Sequence, residues 1–411
     1  MSLASGPLPF LANPAYLRVW GTGATANTMR WLELLVGGIF VFQATQSPFL
    51  VAMVTVLRTL PLLFGATIMG VVSEAWDRKW IYFWSLMLLA VNATVLGTLA
   101  ILGRLEVWHI AAGSIVGGFT WTNEMAIRRR MIGEASGPKL LGQGVAFDSF
   151  TSSFTRCVGP VVGGTVYQAT GIAGAFILSA VIHLIAALII SGLRLPQVRR
   201  PMNLGQLRHD LVEGFQIVRS NRVLLAVAWV SILTNALGFT YAALIPPIGL
   251  HKFEVSPILV GILAAAEPMG SVTTGLLIAF GILRVKHPAA TLVRGSLFFL
   301  LGVGAAALSP WYGLAVLLLY MGGLGTAAFT ITQTTLVFTE APIEGRSRVM
   351  GIIGACIGTW SIGVFLVGSL SEWIGPSSAM LLMSLTGLSG LLWVQLALVG
   401  GRHPAQPKVP L

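Results

Sequence analysis

Long apolar stretches follow one another along the chain, separated by short polar segments. Each stretch is long enough for a helix to cross the hydrocarbon layer of a bilayer, which takes about 20 residues. The twelve stretches cover residues 17–42, 49–72, 80–103, 107–131, 140–168, 172–194, 222–250, 257–283, 287–308, 311–339, 346–372 and 376–400. The pattern predicts an all-α membrane protein with twelve transmembrane helices.

The segment between the sixth and seventh stretches is much more polar. Within residues 195–221, Leu207 and Leu211 begin an apolar series at helical spacing among charged residues. This predicts an amphipathic helix on the membrane surface, although a plain connecting helix is the more ordinary interpretation. The segment separates a first six-helix bundle, 1–194, from a second bundle with a short tail, 222–411.

Glycines in the fifth and eleventh predicted helices have identical spacing. The two sets are Gly159, Gly164 and Gly171, and Gly363, Gly368 and Gly375. Parallel six-helix repeats with a binding site at their interface are one plan of secondary transporters. We therefore expect two related six-helix bundles around a central site.

Composition and charge narrow the class of protein. Only 9% of the residues are charged and 55% are hydrophobic, whereas soluble proteins have roughly a quarter charged residues. Basic residues such as Arg128, Arg129 and Arg130 concentrate in loops on one side, while Arg104 and Lys252 lie on the other. By the positive-inside rule, both termini are predicted to be cytoplasmic, in the inner (plasma) membrane of a bacterium. The net charge of +11 thus reflects the basic loops that determine the membrane topology, and it implies no nucleic-acid partner.

The chain has no motif of an enzyme. A nucleotide-binding loop and a zinc-binding helix are both absent from the sequence, and Cys157 and Cys356 fall in predicted helices. We expect no catalysis, no cofactor and no metal site.

Charged residues inside the predicted helices are the main candidates for function, because charge at membrane depth is costly and usually functional. They are Arg30, Glu33, Arg58, Glu124, Asp148, Arg156 and Glu267. The third, sixth and twelfth helices carry no such residue in their interiors, apart from His183, which can remain neutral. Arg294 of the ninth helix lies near its inner end, so every third helix is predicted to face lipid.

Glu33, Glu267 and Glu124 are the candidates for a proton-carrying group. Glu33 shares a helix face with Arg30, and its protonation would depend on the approach of Arg30 or Arg58. Each glutamate also has a structural alternative. Glu33 would be a permanent ion pair, Glu267 a permanently neutral acid, and Glu124 a local partner of the arginine four residues later.

Arg156 directly precedes a Cys-Val-Gly-Pro segment in the fifth helix. It is predicted to be the counter-ion of an acid such as Glu33, or else to bind an anionic group of the substrate. Trp360 occupies the position in the second bundle that corresponds to Arg156 in the first. We therefore expect the charge of Arg156 to serve the first bundle specifically. Further candidates for substrate contact, each of which is otherwise a helix-packing polar group, are Asn123, Asn235, Tyr241 and Gln333.

The loop after the second helix, Gly70-Val71-Val72-Ser73-Glu74-Ala75-Trp76-Asp77-Arg78-Lys79, resembles the signature Gly-x-x-x-Asp-Arg-x-Gly-Arg-Arg/Lys of the major facilitator superfamily. The resemblance covers nearly the whole chain. The resemblance implies that this loop acts as a conformational latch against neighbouring helices. Ala75 occupies the position of one arginine of the signature, so this part of the latch is missing here. The residues assigned to gating are Gly70, Glu74, Asp77, Arg78, Lys79, Asp148, Arg346 and Arg348.

Two further resemblances concern the branch of the superfamily. Gly159, Pro160, Gly163 and Gly164 match the second half of a motif associated with antiporters. The segments Leu57 to Pro61 and Ala341 to Gly351, and the placing of Arg156, are similar to macrolide efflux pumps and enterobactin exporters.

The resemblance implies a proton-coupled exporter of a small amphipathic molecule (a drug, siderophore or metabolite) that works by alternating access as a monomer in the lipid bilayer. Its implied partners are the substrate and protons. Uptake or exchange of an organic anion is one alternative. A non-transporting receptor or assembly factor on the same fold is another.

Overall fold

The computed structural model describes residues 9–137, 139–195 and 204–399, and their regular secondary structure is entirely helical. Side chains are not described for residues 63–75, 126 and 204–208. The α-helices are α1 (Pro14–Thr45), α2 (Pro48–Ala75), α3 (Arg78–Ile101), α4 (Val107–Ser136), α5 (Leu141–Ser191), α6 (Leu204–Ser220), α7 (Arg222–Leu233), α8 (Tyr241–Pro247), α9 (Pro257–Ala279), α10 (Pro288–Leu308), α11 (Tyr312–Glu340), α12 (Arg346–Gly358), α13 (Trp360–Ile374) and α14 (Pro376–Val394). A π-helical segment, Thr234–Gly238, joins α7 to α8.

Each predicted apolar stretch is helical, but the helices do not map one to one onto the stretches. The fifth and sixth stretches both lie within the range given for α5, and Gly171, whose φ of 69° and ψ of −170° are not helical, separates them into two helices. The eleventh is divided between α12 and α13. Within the described residues, eight helical segments are long and apolar enough to cross a membrane. All of these findings agree with an all-α membrane protein.

Side-chain caps mark several helix starts. The Asn13 side chain accepts a hydrogen bond from the backbone N–H of Ala15 at 3.0 Å at the start of α1. The Asp77 carboxylate accepts one from the N–H of Lys79 at 3.0 Å at the start of α3. Both residue types are strong helix N-caps. Asp77 of the superfamily-like loop thus has a local structural role.

The linker helix α6 is attached to the second half of the chain. Arg348 of α12 donates hydrogen bonds to Asp210 at 2.8 Å and Glu213 at 2.5 Å, and Gly214 packs on the backbone of Arg348. On its other face Phe215 is 56% exposed. The polar contacts of α6 therefore join it to α12, and its other face leaves an apolar side chain exposed.

The two ends of the molecule can be distinguished by this helix. Phe10 and Tyr16 at the start of α1 pack with Ile190 and Leu193 at the end of α5, which leads into the α6 segment. We call this end the linker side, and the opposite end the far side.

The helices predicted to face lipid have exposed apolar stripes. In α3, exposed apolar residues recur every three or four positions, as on one face of a helix. They are Trp80, Trp84, Leu88, Val91 and Val95. The second part of α5 exposes Val181 and Leu188, and α14 exposes Leu385 and Leu392. These surfaces suit contact with acyl chains.

The repeated glycines occupy matching environments. Gly159 packs on α1 and Gly363 on the segment after α7, so each lies against the first helix of its own half. Gly164 approaches Pro257 of α9 and Gly368 approaches Ala52 of α2, so each contacts the opposite half. Small residues allow such close approach of helices in a membrane. The same pair of contacts is thus made twice.

Candidate functional site

A cavity lies between the two halves. Its volume is about 50 Å³, and the non-protein space between its walls, about 550 Å³, includes open solvent. Its walls come from α1, α2 and α5 of the first half and from α8, α9 and their neighbours in the second. The lining residues are Trp31, Leu34, Leu35, Gly38, Val51, Thr55, Arg156, Pro160, Tyr241, Ala242, Ala243, Ile245, Pro246, Ala264 and Pro268.

An ion pair between Arg156 and Glu267 joins the halves beside this cavity. Arg156 Nη2 donates to Glu267 Oε2 at 2.8 Å, and the Tyr241 hydroxyl donates to the same oxygen at 3.2 Å. The Arg156 side chain is 27% exposed, whereas Glu267 is fully buried. Within the described part of the chain, Glu267 Oε1 has no hydrogen-bond partner. One carboxylate oxygen is thus paired and the other is available.

The partner of Arg156 differs from the one suggested by sequence. The expectation was an acid such as Glu33 and a role confined to the first bundle. The structure instead pairs Arg156 with Glu267, 111 residues away in the second half. The Arg156 site therefore connects the bundles, because the fifth and eighth membrane stretches cross against each other at this depth.

Glycine positions Glu267 by close helix packing. Gly323 of α11 lies against the backbone carbonyl of Glu267, where a Cβ atom would overlap the oxygen. Gly270, one turn further along α9, lies equally close to the carbonyl of Tyr320. The next residue, Pro268, has no N–H to donate to the helix ladder. The carboxylate is thereby held at the bundle interface by backbone contacts.

A row of tryptophans continues from the cavity across both halves. The ring centroids of Trp31 and Trp121 are 6.0 Å apart, and those of Trp121 and Trp360 are 6.3 Å apart. Arginines lie against two of these rings. The Arg156 guanidinium is 5.4 Å from the centre of Trp31, and that of Arg30 is 4.8 Å from Trp121. Both distances are typical of cation–π contacts.

Glu33 belongs to a separate cluster inside the first half. Its carboxylate accepts hydrogen bonds from Arg58 Nη2 at 2.9 Å and from the Ser179 hydroxyl at 2.5 Å. His183 Nδ1 lies 3.1 Å from the same hydroxyl. Arg30, which shares a helix face with Glu33, is paired elsewhere. The geometry of this cluster corresponds to the structural alternative for Glu33.

Glu124 lies between two arginines. It pairs with Arg30 and, at 3.1 Å, with Arg128 Nε, so its environment is not purely local. Arg128 pairs in turn with Asp148, and its side chain lies against Gly23 of α1. The buried chain of charges links α1, α4 and α5. It places Asp148, expected among the gating charges, within the first half.

Three of the polar candidates make packing contacts. Asn123 donates to the Ser85 hydroxyl at 3.3 Å and Gln333 to the Ser231 hydroxyl at 2.6 Å, each between neighbouring helices. Asn235 donates to the carbonyl of Ser231 at 2.8 Å within its own helix. None of the three lines the cavity, and Tyr241 does.

The superfamily-like loop is partly described. Gly70 and Glu74 lie where side chains are outside the described part. Arg78 pairs with Glu134 of α4, and Lys79 Nζ donates to the carbonyl of Ser191 at 3.4 Å. These contacts stay within the first half. Further along the chain, the Arg346 guanidinium lies 5.9 Å from the Phe338 ring.

Hydrogen bonds close the far side between the halves. Glu372 at the end of α13 accepts from the N–H of Phe49 at 3.3 Å and from the Ser47 hydroxyl at 3.1 Å. Gln168 Oε1, its repeat equivalent, accepts from the N–H of Ile258 at 3.3 Å. Both N–H groups belong to second residues of helices, α2 and α9. Each half thus caps a helix of the other half.

Replacing Glu372 with alanine removes one of these caps. Loss of a helix N-cap costs ~0.5–2 kcal/mol, so we expect the far-side-open population to rise between about twofold and thirtyfold. The rate at which an impermeant maleimide labels Ala52→Cys, buried against Gly368, measures this population. Glu372→Gln should have a smaller effect, because Gln168 makes the same contact with an amide. An unchanged labelling rate in Glu372→Ala would contradict this assignment.

Sequence reasoning missed several residues of these networks. Ser179, Glu134, Glu372 and Gln168 were not singled out, and Trp121 was overlooked. Gln168 and Glu372 were detectable, because both follow the repeated glycines by four residues. The others have no comparable pattern.

Comparison with known proteins agrees with this architecture. The family model of the Major Facilitator Superfamily matches residues 19–358. Macrolide efflux protein A of Streptococcus pyogenes is 23% identical over 395 residues, covering 93% of this chain and 94% of the relative. The enterobactin exporter of Shigella boydii is 23% identical over 344 residues, covering 81% of this chain and 79% of the relative.

The fold has counterparts among solved structures. An inward-facing bacterial homologue of the human lysosomal transporter Spinster aligns with a TM-score of 0.74 at 12% identity, covering 97% of this chain and 100% of that one. The chain belongs to the Major Facilitator Superfamily. It is a multi-pass membrane transporter and not an enzyme, and its resemblance to the macrolide-efflux and enterobactin-exporter branch is confirmed.

Proposed function

We propose that this protein exports a small amphipathic molecule across the bacterial inner membrane in exchange for protons. In this proposal the twelve apolar stretches all span the membrane as two six-helix bundles, residues 1–194 and 222–411, joined by the segment 195–221. The linker side faces the cytoplasm, with both termini. The protein works as a monomer, and its partners are the substrate, protons and surrounding lipid.

The observation that carries the proposal is the Arg156–Glu267 pair between the halves. Buried ionisable groups in membranes mark ion and substrate pathways. When Glu267 is charged, its carboxylate holds Arg156 and Tyr241 at the cavity. The available oxygen Oε1 can take up a proton, which removes the charge and weakens the contact with Arg156. Protonation then changes the free energy of association of the halves, as coupling requires.

The direction of exchange follows from the alternation of two states, one in which Glu267 is charged and one in which it is protonated. The pair is neutral as a whole when Glu267 is charged, which suits binding of an amphipathic substrate from the linker side. Proton uptake from the far side neutralises Glu267, so that its carboxyl group no longer orients Arg156 at the cavity, and this favours substrate release there. Return to the first state releases the proton into the cytoplasm.

Transport in inverted membrane vesicles tests this function. The probe is prodan, an uncharged fluorophore that carries a carbonyl oxygen. Acidification of the vesicle lumen should drive probe accumulation in wild type, and a protonophore should abolish it. Glu267→Gln should lower gradient-driven accumulation at least tenfold while exchange of labelled for unlabelled probe continues. Wild-type accumulation in this variant would contradict the coupling role of Glu267.

A double variant, Glu33→Gln with Arg58→Met, is the control. It removes another buried acid, Glu33, together with its partner, so that no unpaired charge remains in this cluster. We expect gradient-driven accumulation to persist. Loss of it in a folded protein would move the proton site to Glu33, and accumulation only in right-side-out vesicles would indicate uptake.

A further inference from the structure

The charges at the cavity are arranged asymmetrically. Arg156 is partly exposed to the cavity, whereas the carboxylate of Glu267 is fully buried behind it. Among the described lining residues, Arg156 is the one with a charged side chain. A molecule in the cavity therefore meets the positive member of the pair first.

The aromatic faces beside the cavity already hold cations of the protein. Arg156 lies 5.4 Å from the centre of the Trp31 ring and 5.6 Å from that of Phe239, and Arg30 covers Trp121. Aromatic faces are the usual binding surface for organic cations. Here an organic cation would meet occupied rings and a like charge, both of which disfavour its binding.

The same region contains hydrogen-bond donors that are not used. In the described part of the chain, hydrogen bonds of Arg156 involve Nη2, which leaves Nε and Nη1 to donate. The indole N–H groups of Trp31 and Trp360 are buried without an acceptor. Trp360 packs on the cluster that contains the lining residue Ala243. Unpaired buried donors are costly, so an acceptor from a ligand would stabilise the site.

We infer that the central site binds uncharged amphipathic molecules through their oxygen acceptors, such as carbonyl, ether or phosphoryl groups, and rejects organic cations. The rest of the wall, including Leu34, Leu35 and Ile245, contacts the apolar body of such a ligand. An organic anion is disfavoured as well. It would have to take Arg156 from Glu267, leaving a fully buried carboxylate unpaired. The inference rests on the proposed function only in taking this cavity as the substrate site.

A set of phenyl compounds of similar size tests the inference. Triphenylphosphine oxide is uncharged with a strong acceptor, triphenylmethane lacks an acceptor, tetraphenylphosphonium is a cation and tetraphenylborate is an anion. Binding to the full-length protein in nanodiscs is measured by equilibrium dialysis without a gradient. We expect the oxide to bind at least tenfold more tightly than each of the other three. Tighter binding of the cation or the anion than of the oxide would overturn the inference.

Two variants locate the effect. The double variant Arg156→Met with Glu267→Gln removes both charges, so that no unpaired ion remains. It should weaken binding of the oxide about tenfold, as expected for the loss of a hydrogen bond from a charged donor. Binding of triphenylmethane should not change. Trp360→Phe keeps an aromatic ring and should weaken oxide binding a few-fold. Unchanged oxide affinity in both variants would overturn the inference.

The binding measurement is separate from the test of function. Failure of Glu267→Gln to change gradient-driven transport would refute the coupling role of Glu267 and would not affect the expected ranking of the four compounds. Conversely, a reversed ranking with intact coupling would refute only the inferred substrate class.

Discussion

Replacing Arg58 with methionine should destabilise the protein by about 3–5 kcal/mol, the usual cost of removing one member of a buried ion pair. Arg58 and Glu33 are both buried, and Arg58 Nη2 lies 2.9 Å from the Glu33 carboxylate. Methionine keeps most of the side-chain length, so the main change is an unpaired carboxylate. The buried thiols of Cys157 and Cys356 report unfolding in a thermal melt with a thiol-reactive dye.

The matched control is the double variant with Glu33→Gln. It removes both charges and retains an acceptor for the Ser179 hydroxyl, which donates to Glu33 at 2.5 Å. Replacement of a whole buried pair by neutral groups is often tolerated, so most of the lost melting temperature should return. Equal melting temperatures for Arg58→Met and the double variant would show that an unpaired Glu33 carboxylate is not the cause of the destabilisation.

Replacing Gly164 with leucine should prevent closure of the far side and reduce transport about a hundredfold or more, because closure at this point is required in each cycle. A Cβ atom at Gly164 would overlap the carbonyl oxygen of Pro257 and lie 3.0 Å from Ile258 Cα. The obstacle is backbone of the opposite half, which cannot be relieved by a rotamer change. We expect the two halves to separate in Gly164→Leu, because separation removes this overlap.

Gly275→Leu is the control for this prediction. Gly275 lies in α9, and an added Cβ would meet no atom within 4 Å. In a background of Cys157→Ala and Cys356→Ala, labelling of Ala52→Cys should be fast in Gly164→Leu and slow in Gly275→Leu. Slow labelling together with normal transport in Gly164→Leu would show that the far side closes without this contact.

The positions of the helices and the family followed from sequence, since both depend on local pattern. Runs of apolar residues predict helices wherever they occur, and the repeated glycines indicated two related halves. The same pattern did not show how α6 is joined to α12, through hydrogen bonds from Arg348 to Asp210 and Glu213. This feature depends on contacts between distant segments.

The sequence by itself also determined which charges lie at membrane depth, because each lies in an apolar stretch. It did not determine how they pair. Only the tertiary structure placed Arg156 with Glu267 and Glu33 with Arg58. Pairing depends on the depth and rotation of each helix relative to its neighbours, and helix packing sets both. The amino-acid sequence supplies the charges of the site, and the crossing of the helices decides which of them meet.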